Sequence, residues 1–346
     1  MSNRRDFIRT AGLAGIGAAF SGVALPGLAR DFVHGREPVK VGVIGLDTEH
    51  SVAFTKTFHA PDALPDVAGF RVVAAYPHGS RDIASSLAMI PGFTEEMRKL
   101  GVEITGSIED LLSKVDVVLL ETNDGRLHLE QALPVLKAHK PVFIDKPVAA
   151  SLSDAIAIYD AAKRYGTPLF SSSSLRYMNS VRQIAQGKVG KVTGADAYGP
   201  AVMEKTHPDL FWYGIHAVET LFTVMGRGCR RVSRTFTEGT DLVVGVWEDG
   251  RIGTMRGLRT GAHDFGGTAF GDKGIAAIGP WEGYRPLVVE IATFFRTGQA
   301  PVSPEETLEI FAFMEAADQS RRKGGATIEL DRVMREARKA ARRKEA

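Results

Sequence analysis

The chain has 346 residues, with 43 Lys and Arg against 41 Asp and Glu, and its formal net charge of +2 excludes the strong field expected of a nucleic-acid or anionic-membrane binder. A single cysteine, Cys229, excludes an intrachain disulfide. The length exceeds one comfortable hydrophobic core and predicts two domains.

The first thirty residues read as an address rather than a fold. Asn3-Arg4-Arg5-Asp6-Phe7-Ile8-Arg9 sets paired arginines before an aromatic, and an apolar stretch rich in Ala and Gly runs from Ala11 to Leu25. This is the pattern of a twin-arginine signal, short and glycine-rich for a membrane span, with small residues for cleavage at Gly27-Leu28-Ala29. The expectation is a signal peptide over residues 1–29, recognised by the twin-arginine export machinery, and a periplasmic mature protein starting near Arg30. An uncleaved N-terminal anchor is the alternative.

From residue 39 onward, short apolar, β-branched runs at 39–44, 70–75, 115–120, 141–144 and 168–171 are predicted strands. Helical patterns at 52–58, 94–100, 108–113, 127–138 and 152–165 separate them. Alternating strands and helices predict an α/β, doubly wound parallel sheet. Ser151, Ser153 and Asp154 supply the cap and the first-turn negative charge of the helix over 152–165. After about residue 185 the runs become longer and alternating, at 192–198, 231–237, 241–247 and 251–258, with Glu248-Asp249-Gly250 as a tight turn. Helices are predicted over 286–297 and 304–323, the second stopped by Gly324-Gly325. The second half therefore reads as an α+β domain with an open, mainly antiparallel sheet. The boundaries are placed at 30–150 and 151–346, with the final helices free to pack back on the first domain. The basic tail with Arg342-Arg343-Lys344 reads as a solvated helix end.

Val142-Phe143-Ile144-Asp145-Lys146-Pro147 sets a lysine beside a carboxylate at the carboxyl end of a buried strand, where open parallel sheets bind their ligands. With it go four other segments: Val41–Gly45, Glu121-Thr122-Asn123 followed by His128, Arg176-Tyr177, and Gly214-Ile215-His216-Ala217-Val218-Glu219. In this order the chain resembles the Gfo/Idh/MocA family, named for glucose–fructose oxidoreductase and inositol dehydrogenase. Asp145-Lys146-Pro147 stands where the family usually has Glu-Lys-Pro, and the segment at 214–219 resembles its Gly-x-His-x-x-Asp helix. The resemblance implies a Rossmann domain followed by a domain whose open sheet pairs copies into homodimers or homotetramers. It also implies NAD- or NADP-dependent oxidation or reduction of sugars or polyols.

The resemblance assigns acid/base and alkoxide-stabilising roles to Lys146 and His216, types suited to moving a hydroxyl proton and holding developing negative charge. The nucleotide is expected at Gly45, Leu46, Asp47, Ser80, Arg81, Thr122, Asn123, His128, Asp145 and Lys146, and the carbohydrate at Arg176, Tyr177, Trp212, Tyr213 and Glu219. A packed helix histidine is the plainer reading of His216.

Three departures stand against the family pattern. The Gly-x-Gly-x-x-Gly frame reads Gly45-Leu46-Asp47-Thr48-Glu49-His50, so Asp47 sets a side chain and a negative charge against the expected phosphates, and His50 replaces the third glycine. The acidic residue expected at the end of the second strand is replaced by Tyr76-Pro77-His78-Gly79-Ser80-Arg81; Ser80 and Arg81 there suit a 2′-phosphate and favour NADP over NAD, and a plain surface turn is the other reading. Trp212 occupies the place of the aspartate one turn before the histidine, so the proton relay is broken or rebuilt through Glu219, Asp209 or His207. Phe211-Trp212-Tyr213 is a sugar-stacking platform or core packing. These departures leave open a non-redox alternative: a keto-sugar lyase, hydrolase or isomerase, or a carbohydrate-binding protein without nucleotide. Neither His207 with Asp209 nor His263 with Asp264 has the spacing of a metal site, and no metal is expected.

Overall fold

A computed structural model describes residues 37–344. The twin-arginine stretch lies outside the described residues. Among those described, no helix is long and apolar enough to cross a membrane.

The first sheet is parallel and contains β1 (Val39–Ile44), β2 (Phe70–Tyr76), β3 (Glu103–Ile104), β4 (Val117–Leu120), β5 (Val142–Ile144) and β6 (Leu169–Phe170). Their crossovers are the helices α1 (Glu49–Phe58), α2 (Ala84–Lys99), α3 (Ile108–Leu112), α4 (His128–Lys137) and α5 (Leu152–Tyr165). The strand order β3-β2-β1-β4-β5-β6 reverses direction between β1 and β4, and the crevice at that switch point is where such sheets bind ligands. Strands β4 and β5 are buried along their whole length, which explains their unbroken apolar runs. Ser151 caps α5 by accepting the Asp154 amide at 3.1 Å, and Gly166 closes it in the left-handed region at φ 62°. Because β6 lies beyond residue 150, this sheet runs to Phe170 and crosses the boundary read from the sequence. The helix α5 is its last crossover rather than the first element of the next domain.

After a 3-10 turn at Ser174–Tyr177 come α6 (Asn179–Ala185), β7 (Val192–Pro200), α7 (Asp209–Trp212), α8 (Ile215–Met225), β8 (Cys229–Phe236), β9 (Thr240–Trp247) and β10 (Ile252–Leu258). They are followed by β11 (Gly266–Gly271), β12 (Ile275–Ile278), α9 (Arg285–Thr297), α10 (Pro304–Arg322), β13 (Ile328–Glu329) and α11 (Leu330–Lys344). The second sheet has the order β12-β11-β7-β10-β9-β8-β13 and is antiparallel except where β7 pairs with β10. Alternation in β9 turns Asp241, Val243, Gly245 and Trp247 inward, against α8 and α10. Tyr198, Ile252 and Ile275 stay exposed on the opposite face.

Helix α9 ties the two halves together. Its apolar side, Leu287, Val288, Ile291, Phe294 and Phe295, joins one buried cluster with Val41, Phe54 and Phe70 of the first domain. Each such side chain removed from water contributes about 1.5–3 kcal/mol before entropy is counted. Arg296 adds hydrogen bonds to the carbonyls of Asp66 at 2.7 Å and Ala68 at 2.8 Å. The loops of the two domains thereby face each other across a fixed cleft.

Candidate active site

Lys146 follows β5 and His216 lies in the first turn of α8, so they come from different domains. Both line one cavity of about 370 Å³, together with His50, Asn123, Tyr213 and Tyr284. A Cβ at Gly214 would press on Leu210, so the glycine lets α8 begin tight against α7.

A chain of hydrogen bonds holds the histidine. His216 Nδ1 and Ser173 Oγ share a bond of 2.7 Å. The Ser173 amide donates to Glu219 Oε2 at 2.9 Å, and Ser172 Oγ and Arg176 Nε donate to Glu219 Oε1 at 2.7 and 2.9 Å. Glu219, one turn after His216, therefore fixes the segment that carries the histidine's partner. Burial first, and then the charges of Lys146 and His50, hold the His216 imidazole well below its ordinary pKa, with Asp145 opposing. It is neutral at neutral pH and suited to accept a proton.

Around Lys146 lies a buried acidic floor. Asp145 Oδ2 is 2.7 Å from His50 Nδ1 and 3.9 Å from Lys146 Nζ. Burial alone would raise the Asp145 carboxyl, but His50 and Lys146 hold it well below the usual carboxylate range. Glu121, fully buried at the end of β4, goes the other way: burial and the Asp145 charge push it well up, against Lys146. Two neighbouring carboxyls thus have opposite tendencies.

Asp47 closes the cleft beside this floor. Its carboxylate accepts the amide of Ser80 at 2.7 Å and that of Asn123 at 3.0 Å, joining the loop after β1 to those after β2 and β4. Any side chain at Gly79 would collide with that carboxylate. On the far side lies a separate cavity of about 560 Å³ lined by Tyr76, His78, Ser80, Arg81, Ile108 and Glu130. Its place at the ends of β2 and β3 fits the adenosine end of a dinucleotide. The stretch between the two cavities does not fit a pyrophosphate in the usual pose, because the Asp47 carboxylate fills it and repels it.

The other residues singled out in the sequence divide clearly. Leu46 is buried, and its amide and that of Gly45 bond to the carbonyls of Pro77 and Tyr76. Thr122 is buried and its carbonyl meets His128 Nε2 at 2.6 Å, so His128 braces the loop rather than facing a ligand. Asn123 reaches the cavity, with its side-chain amide on Ser86 at 3.2 Å. Four of the five residues assigned to carbohydrate do not line the cavity; Tyr213 does. Arg176 is committed to Glu219 and Glu306, and Tyr177 is buried in the core that contains α9. Trp212 packs on His207 with ring centroids 4.9 Å apart, and Glu219 acts through Ser173. Nor do Asp209 and His207 rebuild the relay: Asp209 pairs with Arg234 and Arg321, His207 with Asp124. The direct partner of His216 is Ser173, hidden in the sequence within a run of four serines. Phe265, Trp281 and Tyr284, also unforeseen, complete the cavity wall.

A parallel dinucleotide-type sheet and a docked open-sheet domain, with a lysine and a histidine in the cavity between them, define a two-domain α/β architecture. Residues 39–172 match the Gfo/Idh/MocA family model, described as an oxidoreductase family with an NAD-binding Rossmann fold. Among curated proteins it is similar to a 1,5-anhydro-D-fructose reductase of Ensifer adhaerens, 33% identical over 105 residues that make up 29% of this chain and 31% of the relative. An oxidoreductase YrbE of Bacillus subtilis is 24% identical over 55% of this chain and 62% of its own length. The matched segments thus span about a third to under two thirds of these relatives. Among solved structures, a scyllo-inositol dehydrogenase from Lactobacillus casei, with NAD(H) and scyllo-inositol bound, superposes with a TM-score of 0.68 at 15% identity, covering 85% of this chain and 99% of that one. A myo-inositol 2-dehydrogenase from Lactobacillus plantarum gives 0.67 at 16% identity over 84% and 99%. At such identities these likenesses establish the two-domain fold.

Proposed function

We propose that this protein is an enzyme of the Gfo/Idh/MocA oxidoreductase type that acts on a sugar, polyol or related carbohydrate. Its chemistry is proton transfer at a carbinol or carbonyl centre by Lys146 and His216. The observation that carries this reading is their convergence from two domains on one cavity, with His216 held neutral and oriented by Ser173. Lys146 stabilises charge on the substrate oxygen, while His216 takes or returns the proton.

The family model that residues 39–172 match supports coupling that proton transfer to a nicotinamide nucleotide. Arg81, whose exposed pairing with Glu130 is a weak surface contact, favours the 2′-phosphate of NADP over NAD. Export through the twin-arginine pathway to the periplasm, supported by Arg4-Arg5 and the apolar stretch after them, belongs to the same proposal. So does pairing of copies through the exposed face of the second sheet.

Asp47 is the specific observation that favours a second reading. A non-redox lyase, hydrolase or isomerase on a keto-sugar would use the same lysine and histidine and would need no pyrophosphate path. Mass spectrometry of small molecules released from the denatured protein, with calorimetric titration of NADP and NAD, separates the two. Nicotinamide nucleotide released or bound supports the redox reading; an empty protein that binds neither overturns it.

A further inference from the structure

We propose that His50, Glu121 and Asp145 form a site for one divalent transition-metal ion, of the zinc or manganese class, buried beside the cavity that His50 lines. The three residues lie far apart in sequence, and the sheet brings them together. His50 is in the first turn of α1, while Glu121 and Asp145 directly follow β4 and β5, so they meet at the switch point. One ligand atom from each lies within 4.8 Å of the others, the one such grouping of three among the described residues.

An independent observation points to a ligand. Glu121 is fully buried, and neither of its carboxylate oxygens has a hydrogen-bond partner; Asp145 Oδ1 is likewise without one. Buried carboxylates are normally paired, hydrogen-bonded or bound to metal. Lys146 Nζ stands 3.9 Å from Asp145 Oδ2, beyond hydrogen-bond reach. One imidazole nitrogen with two carboxylates suits zinc or manganese, whereas magnesium and calcium sites are built from oxygen alone. Metal–ligand distances of about 2.0–2.2 Å require the three groups to draw in around the ion. His50 also lines the cavity beside Lys146 and His216. The remaining coordination position therefore opens toward the substrate space, where it would take a hydroxyl or carbonyl oxygen of the carbohydrate. That last consequence rests on the carbohydrate reading; ion binding does not.

The test is calorimetric titration of the full chain, stripped by chelator, with zinc chloride and separately with manganese chloride, without nucleotide or sugar. The expected result is one ion per chain, with affinity reduced by more than about a hundredfold in Glu121→Gln, since loss of outer-shell partners alone costs about ten- to a hundredfold. Exposed His263→Gln keeps the wild-type affinity. If Glu121→Gln does not fold, His50→Gln at the cavity wall takes its place with the same expectation. Folded wild-type protein that takes up neither ion, or a ligand variant that keeps wild-type affinity, overturns the assignment whatever the outcome for redox activity.

Discussion

The Asp47 carboxylate accepts the Ser80 amide at 2.7 Å, across the groove a dinucleotide would follow. The bond joins the β1 and β2 loops at the place where the family's second glycine leaves open space. Desolvation raises the Asp47 carboxyl, while the amides of Ser80 and Asn123 lower it. The residue is thus a buried strut with specific partners.

Asp47→Gly should reopen the groove. The expected outcome is at least tenfold tighter binding of NADP or NAD by calorimetry, about 1.4 kcal/mol. Freeing two buried amides should cost about 1–3 kcal/mol of stability in denaturant titration. Unchanged nucleotide affinity would show that Asp47 is not what closes the path.

Ser173→Ala removes the hydrogen bond to His216 and leaves the cavity's volume nearly unchanged. Turnover should fall about three- to tenfold, the worth of one net hydrogen bond, and the fall should be in kcat more than in KM. Steady-state kinetics across pH should also show the basic group's limb displaced. A uniform loss with no change of pH profile would mean that Ser173 serves the fold alone.

His216 should also leave a mark on stability. Its pKa in the folded chain lies well below the ordinary 6.5, so the unfolded chain binds a proton that the folded chain refuses. Its contribution is complete above about pH 6.5 and is lost as the pH falls below that value. Denaturant titrations between pH 5 and 8 should show this decline in the wild type and a shallower one in His216→Gln.

Arg234 anchors the second domain. Fully buried, it pairs with Asp241 at 2.8 Å and Asp318 at 2.6 Å, and burial pushes the Asp318 carboxyl up to about 7 even so. Arg234→Met should destabilise the protein by about 3–5 kcal/mol, because it strands the buried Asp318 carboxyl and leaves Asp241 with Arg259 alone. Thermal denaturation measures this directly; a loss below about 1 kcal/mol would contradict the role.

The sequence shows the first domain well where local signals agree. The β-branched run of β1 and the Ser151 cap of α5 each settle an element by themselves. Helix α2 is half hidden because Pro91-Gly92 interrupts its pattern, and β11, Gly-Gly-Thr-Ala-Phe-Gly, lacks the side chains that mark a strand. Lys146 and His216 are visible because each sits in a motif. Ser173 and the group of His50, Glu121 and Asp145 are not, since only the sheet order and the docked domain bring them together. Conversely, Arg176, Tyr177, Trp212 and Glu219 look chemical in sequence, yet the fold uses them in ion pairing, core packing and bracing.

Lys146→Met, assayed on a panel of sugars, polyols and keto-sugars with and without NADP and NAD, addresses both readings of the cavity. Methionine roughly keeps the volume of the lysine stem and removes the amine. The expected result is a fall in turnover of about a hundredfold to ten-thousandfold in a variant with wild-type circular dichroism and melting, with or without nucleotide dependence. A folded Lys146→Met enzyme with wild-type turnover would contradict the assignment of this cavity as the active site.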